Sequence, residues 1–182
     1  MTSDTPPVTR RAFLSLSSST LVALGLPRAG QARSMDPRVL SFNHTHTGER
    51  LAIEYWRAGD YESEGLGAIN RLMRDFRTGE VHPIDPGLLD LLHEIKSATG
   101  TGAPFEIISA YRSPRTNDAL NRHSDGVAKN SLHLRGKAID IRLADVALED
   151  LRRAALSTRR GGVGYYAGSN FVHVDTGRVR TW

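Results

Sequence analysis

Cysteine does not occur in the 182-residue chain. That absence removes disulfide scaffolds, thiolate metal sites and cysteine nucleophiles together. Any metal must then be held by His, Asp or Glu. Long basic runs are missing as well. The formal net charge is +4, but Arg10, Arg11 and Arg28 stand against Asp4 alone near the start, and the remainder is close to neutral. Nucleic acid therefore has little electrostatic footing as a partner, although the pI is near 9.8. After Arg33 there is no linker, repeat or low-complexity stretch, and no segment reaches the roughly 20 apolar residues of a membrane span. What is present, 39% hydrophobic and 24% charged residues, is the composition of an ordinary globular domain.

The first residues read as an address. Thr9-Arg10-Arg11-Ala12-Phe13-Leu14 opens a weakly apolar run, rich in Ser, Leu, Ala and Gly, that ends near Leu26. Adjacent arginines before Phe-Leu look like a twin-arginine export signal, and Gly30 and Ala32 offer a cleavage site after Ala32. The expected division is an export segment over 1–32 and one domain over 33–182, with the mature protein a periplasmic monomer lacking an integral membrane segment. Export by this route carries folded proteins, which suits a chain that loads a cofactor before leaving the cytoplasm.

Within that domain, Val39–Asn43 and Leu51–Tyr55 alternate like strands around a Thr47-Gly48 turn. Helical periodicity runs from Glu62 to Arg77, with Leu66, Ile69, Leu72, Met73 and Phe76 on one stripe. Asp85-Pro86 is a helix start, and that helix continues through Leu88, Leu89, Leu92 and Ile95 to Gly100. Phe105–Ala110 reads as a strand, Ser113-Pro114 begins a short helix to about Arg122, and a polar loop follows to Ser131. Ala138–Leu143 is a strand, Leu148–Leu156 a helix, and Val163–Tyr166 with Phe171–Thr176 a final hairpin. The pattern is α+β: one compact domain whose helices pack on an antiparallel sheet.

Chemistry concentrates in Ser131-Leu132-His133-Leu134-Arg135-Gly136-Lys137-Ala138-Ile139-Asp140. Seven extended residues span about 23 Å, whereas ligands of one metal lie a few ångströms apart. The chain must turn back between His133 and Asp140, and Gly136 supplies a residue that accepts turn angles. Ile139, Ile141 and Leu143 share one face of their strand, leaving Asp140 with Ala138 and Arg142 on the other. Likewise Val172 and Val174 face away from Phe171, His173 and Asp175. If the two strands are neighbours, His133, Asp140 and His173 converge. Two His and one carboxylate leave a position open, as catalytic zinc sites require. The same spacing equally fits a loop histidine, an Asp140–Arg142 ion pair and a satisfied sheet histidine.

The run Ser131-x-His133-x-x-Gly136-x-Ala138-x-Asp140 resembles the zinc signature of the D-alanyl-D-alanine metallopeptidases. These belong to the superfamily of lysostaphin-type, D-alanyl-D-alanine and hedgehog-like folds. Ser109-Ala110-Tyr111-Arg112-Ser113 resembles the upstream block of the same family. More closely, residues 36 to 182 are similar to a bacterial branch of murein endopeptidases with twin-arginine signals. Asn43–Glu49, Gly126–His133, Gly161–Tyr166 and Asn170–Gly177 carry that closer likeness.

The resemblance implies a Zn²⁺ site made by His133, Asp140 and His173, with the peptide stems of peptidoglycan as substrate. It implies that Arg112 contacts substrate or stabilises the oxyanion, and it places His46 in a substrate-binding stretch. Many relatives carry His two residues before the last ligand or Glu three before it. Phe171 and Asn170 stand there in this chain. Asp175 is the expected catalytic base in their place, on the face it shares with His173; its alternatives are orienting a zinc histidine or pairing with Arg178 or Arg180. His44 reads as a surface residue and His123 as part of a polar loop. Two other functions stay open: a carboxypeptidase trimming terminal D-alanine, and a non-catalytic zinc or peptidoglycan-binding module.

Overall fold

Alternating apolar residues in two central strands decide the architecture. The computed structural model describes residues 1–2, 36–123 and 128–182. Nearly all of the expected export segment, with the cleavage site after Ala32, and part of the polar loop before Ser131 lie outside the described residues. From Asp36 on, the described residues belong to one unit, Ser34–Trp182.

Among the described residues, eight strands form one sheet: β1 Arg38–His44, β2 Arg50–Arg57, β3 Asp60–Tyr61, β4 Phe105–Ser109, β5 Ala138–Leu143, β6 Gly162–Tyr166, β7 Phe171–Asp175 and β8 Arg180–Thr181. Their order is β3-β2-β1-β4-β5-β7-β6-β8. The block β4-β5-β7-β6 is antiparallel throughout, as expected for the late strands. β1 lies parallel to β4, and β8 parallel to β6, so the complete sheet is mixed. Helices α1 Ser63–Leu72, α2 Pro86–Thr99, α3 Pro114–His123 and α4 Leu148–Ser157 complete the α+β fold.

The core lies on one face of the sheet. Ile139, Ile141, Val172 and Val174 are fully buried there, together with Leu88, Leu89, Leu92 and Ile95 of α2 and Leu151 of α4. Removing such side chains from water contributes on the order of 2 kcal/mol each. A one-residue slip in β5 or β7 would turn these side chains outward, so the core holds both strands in register. The opposite face of the same strands is thereby left to Asp140, His173 and Asp175.

Helix α2 begins and ends where its sequence signals stand. Asp85 accepts the Gly87 N–H at 2.9 Å, Pro86 occupies the first turn, and Gly100 closes the helix with φ 67°. No helix among the described residues is long and apolar enough to cross a membrane.

Helix α1 departs from the expected Glu62–Arg77 span, stopping at Leu72. The cause is Asp75, whose side chain and backbone organise a turn instead. Its Oδ1 accepts the Arg77 N–H at 3.0 Å, and its carbonyl accepts the Gly79 N–H at 2.7 Å. Its Oδ2 accepts the Ser113 N–H at 2.9 Å and the Ser113 hydroxyl at 2.7 Å. Local side-chain bonds of this kind compete with helix continuation. Met73 then accepts the Tyr111 N–H at 3.1 Å, so the turn grips the segment on both sides of Arg112.

Asp75 is 1% exposed. Burial pushes its carboxyl up, but bonds from Ser113, Thr116 and Arg77 outweigh that and hold it down at about 2. A depressed native pKa stabilises the fold above the ordinary carboxylate range, and the gain disappears as pH falls toward the native value. Asp75→Asn is therefore expected to lower stability at pH 7 by about 2 kcal/mol, the value of a shift of this size. Thermal melts should show the gap to the parent protein closing between pH 4 and pH 2; a gap independent of pH would contradict this account.

Candidate metal centre

Register brings the first two groups together. Asp140 sits directly opposite His173 on the antiparallel pair β5 and β7, and the His173 Nδ1 lies 2.8 Å from Asp140 Oδ1. His133 arrives from the 3₁₀ turn Leu132–Arg135, which Ser131 caps and Gly136 ends at φ 61°. Gly136 is needed twice over. Its φ is positive, and a Cβ would lie 2.2 Å from the Pro83 carbonyl oxygen. The reversal expected between His133 and Asp140 is this turn.

The three side chains are buried, at 2%, 3% and 8% exposure for His133, Asp140 and His173. His133 Nε2 lies 3.2 Å from His173 Nδ1 and 3.3 Å from Asp140 Oδ1. Two ligands at about 2.0–2.1 Å from a tetrahedral zinc stand roughly 3.3 Å apart. The triangle of 2.8, 3.2 and 3.3 Å is thus close to the size that such an ion requires. Two imidazole nitrogens and a carboxylate oxygen also match its donor preference. These three residues are the group among the described residues whose ligand atoms converge within 4.8 Å.

Each of the three is held from behind. The His133 Nδ1 is 2.6 Å from the Ala110 carbonyl, so that nitrogen carries the proton and Nε2 is left with its lone pair. Arg112 donates from Nη2 to Asp140 Oδ2 at 2.6 Å and from Nε to Ser109 Oγ at 2.9 Å. That occupies the outer carboxylate oxygen and leaves Oδ1 for the cluster. Burial depresses the basicity of His133 and of Arg112. Burial also opposes ionisation of Asp140, yet His133 and His173 outweigh it and hold the carboxyl well below its usual range.

Asp175 stands on the other nitrogen of His173. Its Oδ2 is 3.1 Å from Nε2, while Nδ1 faces Asp140 and His133. The remaining acceptor capacity of Asp175 is filled by the N–H groups of Gly162 and Gly177 and by both terminal nitrogens of Arg180. It is fully buried and does not line the open cleft beside the cluster. Its carboxylate oxygens are thus engaged by His173, Arg180 and two backbone N–H groups. Of the partners considered from sequence, Arg180 makes the ion pair, at 2.6 Å.

The cleft has a volume of about 470 Å³. His133, Asp140, His173, Arg112, Arg180 and Trp182 are among its walls, with Tyr166 and Phe171 beside them. His46 is not. Its ring stacks on Phe76 at 4.3 Å between centroids. His44, expected at the surface, is 2% exposed. Its Nδ1 accepts the His46 and Thr47 N–H groups at 3.3 and 3.4 Å, tying down the β1–β2 turn. His123 is exposed at the end of α3 and contacts the Ala119 carbonyl. Tyr166, Arg180 and Trp182 were not singled out from sequence as cleft residues. Their convergence depends on β8 pairing with β6, and the two-residue strand β8 carries no periodic signal.

With this geometry in view, comparison with known proteins is decisive. A family model described as peptidoglycan L,D-endopeptidase MepK matches residues 32–182. The chain belongs to this family. Peptidoglycan L,D-endopeptidase MepK of Escherichia coli K12 is 44% identical over 175 residues, covering 95% of this chain and 96% of its own length. The Haemophilus influenzae protein named probable peptidoglycan L,D-endopeptidase MepK is 45% identical over 176 residues, covering 95% of each chain. No solved structure matches the chain significantly. MepK-family peptidases are metal-dependent, and the His133, Asp140 and His173 group is able to bind a metal.

Asp175→Asn keeps the shape but weakens the acceptor on the far side of the His173 ring. Metal affinity is expected to fall about 10- to 100-fold, the usual effect of removing such a partner. Competition against a chromophoric chelator measures it directly, and unchanged affinity would contradict the orienting role.

Proposed function

We propose that this chain is a zinc-dependent endopeptidase that hydrolyses the L,D-type peptide cross-links of bacterial peptidoglycan. Cleavage of peptidoglycan cross-links follows from membership of the MepK family. The observation that carries it is the triangle of His133 Nε2, Asp140 Oδ1 and His173 Nδ1 at the floor of an open cleft. Zinc at that donor set supplies Lewis-acid activation of water and of the scissile carbonyl.

The remaining work falls to the chain itself. The Ala110 carbonyl and Asp175 select the tautomers of His133 and His173 that present a lone pair inward. Arg112 keeps Asp140 from turning and, with Nε and Nη2 engaged, has Nη1 left for a substrate oxygen in the cleft. A fixed positive charge there favours the negative charge that develops on the carbonyl as water attacks. Arg112 and Arg180 both line the cleft, where guanidinium N–H groups not taken by Asp140 and Asp175 are donors for the free carboxylates of peptide stems. Asp175 acts through His173 and does not accept the proton of the attacking water.

Action on peptidoglycan implies a periplasmic or extracellular location. Passage by the twin-arginine route is supported by Arg10-Arg11 and the weakly apolar run after it. The same signal sets the proposed domain boundary after Ala32.

Cross-linked muropeptide dimers carrying either L,D or D,D bonds, and monomeric pentapeptides, test the reading when digested with and without chelator. The L,D dimer is expected to be cut, with activity lost on chelation and in His133→Ala, and restored to the parent protein by zinc. Cleavage of pentapeptides alone would move the assignment to a carboxypeptidase. Activity indifferent to chelator and to His133→Ala would remove the zinc mechanism.

A further inference from the structure

Phe171, two residues before the last ligand on β7, brings an apolar ring to the cleft and no hydrogen-bonding side-chain group. The neighbouring strand provides one. Tyr166 on β6 is the register partner of Phe171, and the two rings stack with centroids 4.6 Å apart and planes 20° from parallel. Phe171 thus holds the Tyr166 ring instead of offering an atom of its own.

The Tyr166 hydroxyl is oriented by a second contact. Trp182 donates its indole Nε1–H to the Tyr166 oxygen at 2.8 Å. An indole N–H is a donor only, so the phenol is the acceptor in that bond. Its own O–H has no acceptor among the described residues. Tyr166, Trp182, Arg112 and the three ligands all line the same cleft, and Arg112 lies within electrostatic reach of the phenol. Among the described residues of that cleft, Asp140, His133 and His173 are the only carboxylate and imidazole groups, and all three are committed to the cluster.

The indole can reach Tyr166 because β6 is cleared for it. Gly164 faces His173 in the β6–β7 register, and a Cβ there would lie 2.7 Å from the Trp182 ring. The ring also stands 5.3 Å from that of His173 and 4.8 Å from the Arg180 guanidinium carbon. Trp182 is thus seated between the metal ligand and the phenol.

We propose that Tyr166 is a catalytic residue, donating its O–H hydrogen bond to the oxygen of the scissile carbonyl, and that Trp182 is the positioning residue that aims it. Resting on the endopeptidase reading above, this places an O–H donor on the strand beside Phe171. The phenol keeps its proton: no bond to it forms or breaks, and the hydrogen bond strengthens as charge develops on the carbonyl oxygen.

The test uses the zinc-loaded protein with L,D cross-linked muropeptide dimers, and a phosphinate analogue of the cross-link as a mimic of the tetrahedral carbon. Tyr166→Phe is expected to lower kcat about 100-fold, the usual scale for one such donor, with KM within about twofold. The phosphinate should bind this variant roughly as many fold more weakly, since that is where the donor acts. Trp182→Phe, which keeps a ring but loses the N–H, should lower kcat by about tenfold and have no further effect in the Tyr166→Phe background. Metal content and melting temperature should match the parent protein in every variant.

A Tyr166→Phe protein with parental kcat, or one with raised KM and parental kcat, overturns the proposal. So does one that loses metal or melts early, because its tyrosine then acts through the scaffold. A parent protein that cuts no dimer overturns the endopeptidase reading and this proposal with it. An active parent beside an unimpaired Tyr166→Phe overturns this proposal alone.

Discussion

The register between β5 and β7 is the constraint on which the site depends. Side chains on paired strands alternate with a period of two, so burying Ile139, Ile141, Val172 and Val174 on one face puts Asp140 opposite His173 on the other. A carboxylate and an imidazole meet at 2.8 Å because an apolar core on the far side of the sheet admits no other alignment. The third member of the cluster needs a separate device. His133 is sequence-near to Asp140 but is delivered by a capped 3₁₀ turn ending in a left-handed glycine, packed against Pro83.

Burying charged and polar groups this deeply is costly unless every one is paired. Asp140 is matched by Arg112, and Asp175 by Arg180, each at 2.6 Å. The two carboxylates and two guanidiniums offset one another, so the framework around the cluster contributes little net charge. Arg112 also has its backbone held: its N–H bonds the His133 carbonyl at 3.2 Å. Asp75 secures Ser113 and Met73 secures Tyr111 on either side. Orientation of the cluster therefore extends outward through an ordinary hydrogen-bonded scaffold, from His173 to Asp175 to Arg180 and from Asp140 to Arg112 to the Asp75 turn. Removing an outer member leaves an inner one unsatisfied, and a half-satisfied polar network is worse than none.

What could be read in the sequence follows from which forces are local. β5, β7 and α2 were legible because alternation, a Pro-led N-terminus and a Gly C-terminus are written within each segment. The convergence of His133, Asp140 and His173 was legible once two alternating strands were assumed to be neighbours. The early end of α1 was not, since the apolar stripe continues through Met73 and Phe76 while Asp75 directs its bonds to Ser113, 38 residues away. His44 looked exposed for a similar reason: its burial depends on the turn it caps and on Phe76, whose ring lies 5.5 Å from its own. For Asp175, strand alternation put it on the face of His173, where it stands. Alternation cannot say which ring nitrogen it meets, and that nitrogen separates an orienting role from a catalytic one.

Strand β6 shows how the sheet exchanges intrinsic stability for access. Gly162, Gly164 and Tyr166 share one face, opposite Asp175-to-Phe171 on β7. Glycine weakens a strand, having no side chain to pack and more conformational freedom to lose. Here the two missing side chains form a trough. Arg180 lies over Gly162, where a Cβ would be 2.4 Å from its Nη1, and Trp182 lies over Gly164. The contacts that β6 gives up along its own length are replaced by side chains from β8 and the residue after it, and those side chains reach the partners of His173 and Tyr166. A two-residue strand with no periodic signal thus gains a place in the site only because its neighbour carries glycine at alternate positions. The glycines of β6 are accordingly part of the site's construction, although no atom of a glycine side chain exists to take part in its chemistry.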